Sequence, residues 1–317
     1  MKMNKSVIYS VVLSLLLYGC AAATPEAPPT TTPLPEPDIL DEIVITHENL
    51  FPLGIGFDKN RKQFLVSSLT EGIIYLVNDD GSLELFIVDD ELQMTAGLEI
   101  DNKNNRILVT STSQAEDQSM LAAYDLSTSE RIFLVNLSDL SSSLSHNSYD
   151  VAVDSNGIAY VTDFYSPVIY RVDKDGEASV FIEDRLINFG NGIVVHTDGF
   201  LIFGSSGFLY KVPIENPEII QIDIPEGYLG IGPSASLVLH PDGSLIATDA
   251  MSNKIGRLSS TDNWSSASHV GMSLAHSKYD PVTVLKDEDI YVIHSYWARW
   301  DEGKDQDTFE IMKVEFR

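Results

Sequence analysis

Asn191, Asp280 and Asp150 are the residues of this sequence best placed to do chemistry together. Each stands at or just before the start of a short apolar segment: Gly192-Ile193-Val194-Val195-His196, Pro281-Val282-Thr283-Val284-Leu285 and Val151-Ala152-Val153-Asp154. Carbonyl and carboxylate oxygens at such entries suit a hard cation, or the polar end of an organic ligand. Tyr149 precedes Asp150 and would flank that polar group. A second cluster is His294-Ser295-Tyr296-Trp297-Ala298-Arg299-Trp300, in which Tyr296, Trp297 and Trp300 form either an aromatic ligand wall or a packed closure of the chain's last element. His146-Asn147-Ser148 reads more simply as a polar entry loop behind the serine-rich stretch 138–145. His196 and His240 end apolar segments where Asp58, Asp101 and Asp154 end others, so they are expected to be turn residues rather than metal ligands. There is no glycine-rich phosphate loop, no Gly-x-Ser-x-Gly elbow and no His-Glu-x-x-His.

The elements that must position these residues form a repeat. Gly54-Ile55-Gly56-Phe57-Asp58, Gly97-Leu98-Glu99-Ile100-Asp101, Asp150-Val151-Ala152-Val153-Asp154, Gly192-Ile193-Val194-Val195-His196, Ser236-Leu237-Val238-Leu239-His240 and a weaker Pro281-Val282-Thr283-Val284-Leu285 begin 43, 53, 42, 44 and 45 residues apart. Each is followed by a turn rich in Asn, Asp or Gly, such as Ser155-Asn156-Gly157 or Pro241-Asp242-Gly243. A second apolar segment follows, for example Gln63-Phe64-Leu65-Val66 or Ile158-Ala159-Tyr160-Val161, then a third such as Ile169-Tyr170-Arg171-Val172, and in some copies a fourth such as Ser179-Val180-Phe181-Ile182. Short β-branched and aromatic runs between turns are strands. Four strands per unit and six units predict an all-β, six-bladed β-propeller of four-stranded blades. Ring closure is expected to pair Glu42-Ile43-Val44-Ile45-Thr46 with Phe309-Glu310-Ile311-Met312-Lys313-Val314.

The amino terminus predicts export. Lys2 and Lys5 precede an apolar run, Val7 to Leu17, too short to cross about 30 Å of hydrocarbon comfortably. The run ends in Leu17-Tyr18-Gly19-Cys20, which resembles a bacterial lipobox, so residues 1–19 are expected to be a lipoprotein signal peptide and Cys20 the lipidation site. Cys20 is the single cysteine, which removes disulfides and cysteine metal sites from consideration. Residues 20–38 are Pro- and Thr-rich and read as an extended linker, leaving 39–317 as the propeller. Palmitate-type acyl chains would then tie the domain to the membrane. The position after Cys20 is Ala21, which carries no inner-membrane retention aspartate, so the cell envelope, and its outer membrane where one exists, is the expected location. A formal charge of −27 argues against nucleic acid as a partner.

Phe51-Pro52-Leu53-Gly54-Ile55-Gly56-Phe57-Asp58, Tyr149-Asp150-Val151-Ala152-Val153-Asp154 with Ala159-Tyr160-Val161-Thr162-Asp163, and Gly190-Asn191-Gly192-Ile193 resemble the senescence-marker-protein, gluconolactonase and luciferin-regenerating-enzyme group. The likeness runs over residues 50–300, and strand-turn-strand similarity of this kind extends to NHL-type propellers. In the enzymatic members of the group a divalent cation, often Ca²⁺, sits at the channel mouth on a Glu, Asn-type residues and an Asp, and polarises a lactone or ester carbonyl. The resemblance puts those positions at Leu53, Tyr149, Asn191 and Ala235; only Asn191 retains a ligand, and Asp280 lies in a different blade. Two such groups fall short of the 6–8 oxygens Ca²⁺ takes, even if waters supply some. The expectation is a cell-envelope lipoprotein whose propeller binds a small molecule, glycan or protein at its central face. The alternative is a divergent metal-dependent lactonase or ester hydrolase with Ca²⁺ as its cofactor.

Overall fold

The computed structural model describes residues 42–115, 117–224, 236–249, 254–274 and 280–317. The expectations for residues 1–38, Cys20 among them, and for Ala235 lie outside these residues.

Six antiparallel four-stranded sheets follow one another along the chain, so the protein is a six-bladed β-propeller. The inner strands of blades 1 to 6 are Ile55–Asp58, Met94–Asp101, Ser148–Val153, Gly190–His196, Leu237–Leu239 and Pro281–Lys286. Each apolar anchor of the repeat is thus the innermost strand of a blade. The asparagine and aspartate turns work as expected: Asp58 Oδ1 accepts the Asn60 amide at 2.8 Å, and Asp154 Oδ1 accepts those of Asn156 and Ile158 at 2.8 and 2.9 Å. His196 and His240 occupy the same place and do the same job through Nδ1, which accepts the amides of Asp198 and Asp242. The His196 ring also stacks on Phe200 with centroids 4.3 Å apart.

Blades pack face to face, and each of the six interfaces has its own apolar cluster; Leu65, Ile107 and Val109 belong to the one between blades 1 and 2, and Leu108, Val151 and Val161 to the one between blades 2 and 3. Strand residues of alternate orientation therefore serve opposite interfaces, which is why both faces of each central strand are apolar. The largest cluster, with Ile45, Phe51, Phe309 and Ile311, lies where the ring closes. There Glu42–Thr46 pairs with Thr308–Lys313 in the register Ile45↔Phe309, so the first and last strands of the propeller share blade 6. The Phe309 ring is gripped by Phe51 and Tyr296 at 5.9 and 5.8 Å, both edge-on. Helix is confined to one α-turn, Trp297–Asp301, and a 3₁₀ turn, Ser138–Leu140, among the described residues.

Around the axis the inner strands are set by hydroxyl struts. In blades 1 to 3 the second strand carries Ser67, Thr110 or Thr162 at one equivalent position. Their hydroxyls donate to the carbonyls of Ala96, Tyr149 and Asn191, each on the next blade, at 2.8, 3.1 and 2.7 Å. Gly54 and Gly97 let those carbonyls pass: a Cβ on Gly54 would lie 2.2 Å from the Ala96 carbonyl, and one on Gly97 2.6 Å from that of Tyr149. Ala96, Tyr149 and Asn191, each the residue before an anchor, are thus held by their backbones.

Candidate functional site

The six inner strands enclose an axial channel of about 320 Å³. Most of the lining residues are aliphatic, Leu98, Val151, Val194 and Val282 among them, while backbone and polar side chains make up the larger part of the surface they expose. Three polar side chains stand out: Tyr149 and Asp150 from the start of the blade 3 strand, and Glu99 from the blade 2 strand. Lys59 and Asn102 also line it, and both follow the far ends of their inner strands, away from Tyr149.

Asp150 is held by two amides. Its Oδ1 accepts from Val151 N at 2.9 Å and its Oδ2 from Ile193 N, on the next blade, at 3.0 Å. Burial nonetheless pushes its carboxyl up to about 6, the two amides pulling the other way. Glu99 has no such support. Burial, then the charges of Asp150 and Asp101, push it up to about 8. Both residues are half-buried, yet the surrounding blades enclose their carboxyls deeply enough that desolvation leads both shifts. At neutral pH, Asp150 is therefore largely ionised and Glu99 largely protonated. The two carboxyls share a low-dielectric lumen, and their environments pull them apart.

Tyr149 forms the inner end of an aromatic file that leads outward. Its ring lies 5.7 Å from Phe164, which is 5.2 Å from both Tyr165 and Phe189. Tyr165 and Phe189 are 56 % and 43 % exposed. Burial, followed by the negative charges of Asp280 and Asp150, raises the Tyr149 hydroxyl well above the usual phenol range, so it stays a neutral donor.

The other expected site residues are placed differently. Asn191 is fully buried, and neither its amide nitrogen nor its amide oxygen has a hydrogen-bond partner among the described residues; it does not line the channel. Asp280 is buried with a φ of 51°, and its Oδ2 accepts from Ala298 N at 3.0 Å, organising the turn that follows the blade's second strand. Tyr296 packs on Phe309 and donates to Glu310 Oε2 at 3.0 Å, while Trp297 and Trp300 pack against the closure cluster. Of the two readings of that aromatic run, closure packing is the one its contacts match, because these rings cover the seam where the ring must be sealed. Tyr149 and Asp150 are the expected residues that line the channel together.

His146 has company that resembles a nucleophile, base and acid. Its Nδ1 is 2.9 Å from Ser166 Oγ and 3.5 Å from Asp163 Oδ2. A relay needs the hydroxyl and the carboxylate on opposite ring nitrogens, and here both face Nδ1. Ser166 is buried and donates to the Ser145 carbonyl at 2.9 Å. The cluster pins the entry loop to blade 3: Asp163 Oδ1 also accepts from Asn147 N at 2.9 Å, two residues before Tyr149.

The set of oxygens expected for a divalent cation does not assemble. No group of three or more His, Cys, Asp or Glu side chains able to hold a metal occurs among the described residues. Leu53 and Tyr149 occupy two of the ligand positions that the resemblance implied, Asn191 is sealed behind the wall, and the Asp280 carboxylate is bonded to its own loop. These residues do not fit a protein-held Ca²⁺.

No protein-family model matches the chain, and no curated protein sequence matches it. Solved structures do. The chain is similar to the allergen Mala s 1 of Malassezia sympodialis, with a TM-score of 0.70 and 19 % identity over 87 % of this chain and 96 % of that one. It is similar to the PQQ-bound aldose sugar dehydrogenase of Streptomyces coelicolor, with a TM-score of 0.63 and 15 % identity over 87 % and 97 %. It is also similar to a luciferin-regenerating enzyme, with a TM-score of 0.61 and 10 % identity over 87 % and 97 %. At these identities the likeness establishes the shared six-bladed fold. Function has to come from the site.

Proposed function

We propose that this protein is a lipid-anchored propeller of the cell envelope that binds a small organic molecule in its axial channel. The observation that carries the reading is the channel itself: about 320 Å³ between inner strands of largely aliphatic sequence, with Tyr149, Asp150 and Glu99 converging on it. That volume is at the lower end of the roughly 300–1,000 Å³ typical of small-molecule sites, which likewise combine apolar side chains with a few placed polar groups. The neighbours of this fold include enzymes and an allergen, so the fold is compatible with either binding or catalysis. The absence of an assembled cation site among the described residues favours binding over metal-assisted lactone or ester hydrolysis.

Plugging the channel tests the reading. Leu53 lines it at the blade 1 entrance. Leu53→Trp is expected to weaken fragment hits, detected by ligand-observed NMR, by about tenfold or more, because the indole takes up lumen that the ligand needs. Hits that bind the plugged protein unchanged would place binding on the outer surface instead. The anchor has its own test. Cys20→Ser is expected to move the protein from the membrane fraction to the soluble fraction, or to leave an unprocessed precursor. Membrane retention with unaltered gel mobility in that variant would count decisively against lipidation.

A further inference from the structure

Resting on the channel as a ligand site, the geometry points to its ligand class: a small organic cation, an alkyl- or arylalkylammonium, whose nitrogen sits between Asp150 and Glu99 and whose apolar body lies along Tyr149 and Phe164.

Four observations converge. First, Asp150 is a fixed anionic acceptor. Its two amide bonds, one from its own strand and one from the next blade, use one lone pair on each oxygen. A carboxylate has about four such sites, so acceptor capacity remains for a ligand N–H.

Second, Glu99 lines the lumen and has no hydrogen bond or ion pair among the described residues, although its carboxyl lies deep among the blades. A carboxyl half-withdrawn from water and without a protein partner is stabilised by a ligand that supplies a donor. The strands packed against it offer none of opposite charge. The blade 1 inner strand brings Gly54, Ile55, Gly56 and Phe57, and the blade 3 strand brings Asp150. The carboxylates that end the blade 1 strand and Glu99's own strand are turned into hairpins: Asp58 binds Arg61, and Asp101 binds Arg106 at 3.0 Å. An ammonium ion supplies both the missing charge and up to three donors.

Third, the side chains of the rest of the wall suit carbon better than a bare metal ion. The side chains of Leu98, Val151 and Val194 bring no oxygens, and the carboxyls that line the lumen are two, Asp150 and Glu99, so a divalent cation would have to keep most of its water. An organic cation brings its own apolar surface, which such walls bury favourably at about 25 cal/mol per Å².

Fourth, the approach is aromatic. Phe189 and Tyr165 are exposed at the outside, Phe164 lies between them and the lumen, and Tyr149 lines the lumen beside Asp150. Ring faces attract ammonium groups, most strongly where water is excluded. Phe189 holds a left-handed φ of 56°, a conformation uncommon for a bulky residue, and still leaves much of its ring in solvent. A formal charge of −27 adds a field that draws cations toward the molecule.

Calorimetric titration of the full chain at neutral pH tests this with two probes of equal size and opposite character, phenethylammonium and 2-phenylethanol. An alkylamine titrates near pH 10, as lysine does, so the first probe is charged. The ammonium is expected to bind about tenfold tighter than the alcohol or better, the return for one charge-assisted hydrogen bond. Asp150→Asn is expected to erase most of that preference, and Glu99→Gln to reduce it several-fold, with circular dichroism confirming that each variant is folded. Asp150 also holds two backbone amides, so should its variant fail to fold, Glu99→Gln carries the test. Equal affinity for the two probes would overturn the cation assignment while leaving the channel a binding site. Binding of neither at millimolar concentration would overturn the assignment and the channel reading together. Displacement of the ammonium by micromolar Ca²⁺ would reassign the carboxyls to a metal.

Discussion

Replacing Glu99 by Gln is expected to stabilise the protein at alkaline pH and to leave it nearly unchanged at pH 5. The Glu99 carboxyl is raised from its ordinary 4.5 to about 8, chiefly by burial and then by the charges of Asp150 and Asp101. A folded-state pKa above the unfolded one means that the folded state holds the proton more tightly. The contribution to stability is then fully present below the unfolded pKa and is lost as pH rises through the folded one. Asp150 adds a smaller loss in the same direction, between its ordinary 3.8 and about 6. The native protein should therefore melt at a lower temperature at pH 9 than at pH 5, with the fall concentrated between those values. Glutamine has no proton to lose. At pH 9 the variant escapes the cost of an ionised carboxylate beside Asp150, and a gain of about 2–4 kcal/mol is expected once screening by channel water is allowed for. In a domain of this size that is several degrees of Tm. Thermal melts of both proteins across the pH range decide the matter: parallel curves, with no convergence at low pH, would show that Glu99 is not held in a desolvated lumen.

The second large effect concerns closure. Phe309→Ala is expected to cost about 3–5 kcal/mol, the range for deleting a buried aromatic ring. Phe309 is fully buried, and its ring holds those of Phe51 and Tyr296. Removing the chain through Thr46 is expected to do more. Glu42–Thr46 is the strand that completes blade 6, paired residue for residue with Thr308–Met312. Without it, blade 6 loses an outer strand, the largest apolar cluster loses Ile45, and the Phe309–Met312 edge is left unpaired. Open edges of this kind recruit other chains. The truncated protein should melt with lower cooperativity and run as aggregate on size exclusion. A monomer with the parent's Tm would show that the seam contributes little and that the ring is held by its other five interfaces.

Much of the fold was legible before any coordinates, and the reasons are local. Apolar anchors some 42–53 residues apart mark the inner strands, because every blade must bury both faces. Asp58 and Asp154 mark hairpins because a carboxylate can bond the amide two residues on. The closing strand was legible because an apolar five-residue run at the start had no partner except the one at the end. The site was legible only in part. Tyr149 and Asp150 were found from their place before an anchor. Glu99 was missed, although it is the one ionisable residue at the third place of an anchor, where the other blades carry Gly56, Ala152, Val194, Val238 and Thr283. Phe164 and Phe189 sit in loops, which carry no period to read.

What the sequence determined by itself is the propeller, its blade count and its seam, since hydrophobic period and turn chemistry act between near neighbours. Which side chains meet was decided by the tertiary structure alone. Asn191 and Asp150 begin adjacent inner strands with similar oxygen-bearing side chains, yet one is sealed behind the wall and the other faces the lumen. Asp280 was a candidate for the polar site at the channel mouth and binds Ala298 N in the fold. The aromatic run 296–300 was as consistent with a ligand wall as with packing until Phe309 arrived beneath it. Such outcomes depend on how each blade is rotated against the next, which the hydroxyl struts from Ser67, Thr110 and Thr162 set to within a hydrogen bond. A rotation is a relation between segments about 40 residues apart or more, and no local pattern of residues encodes it.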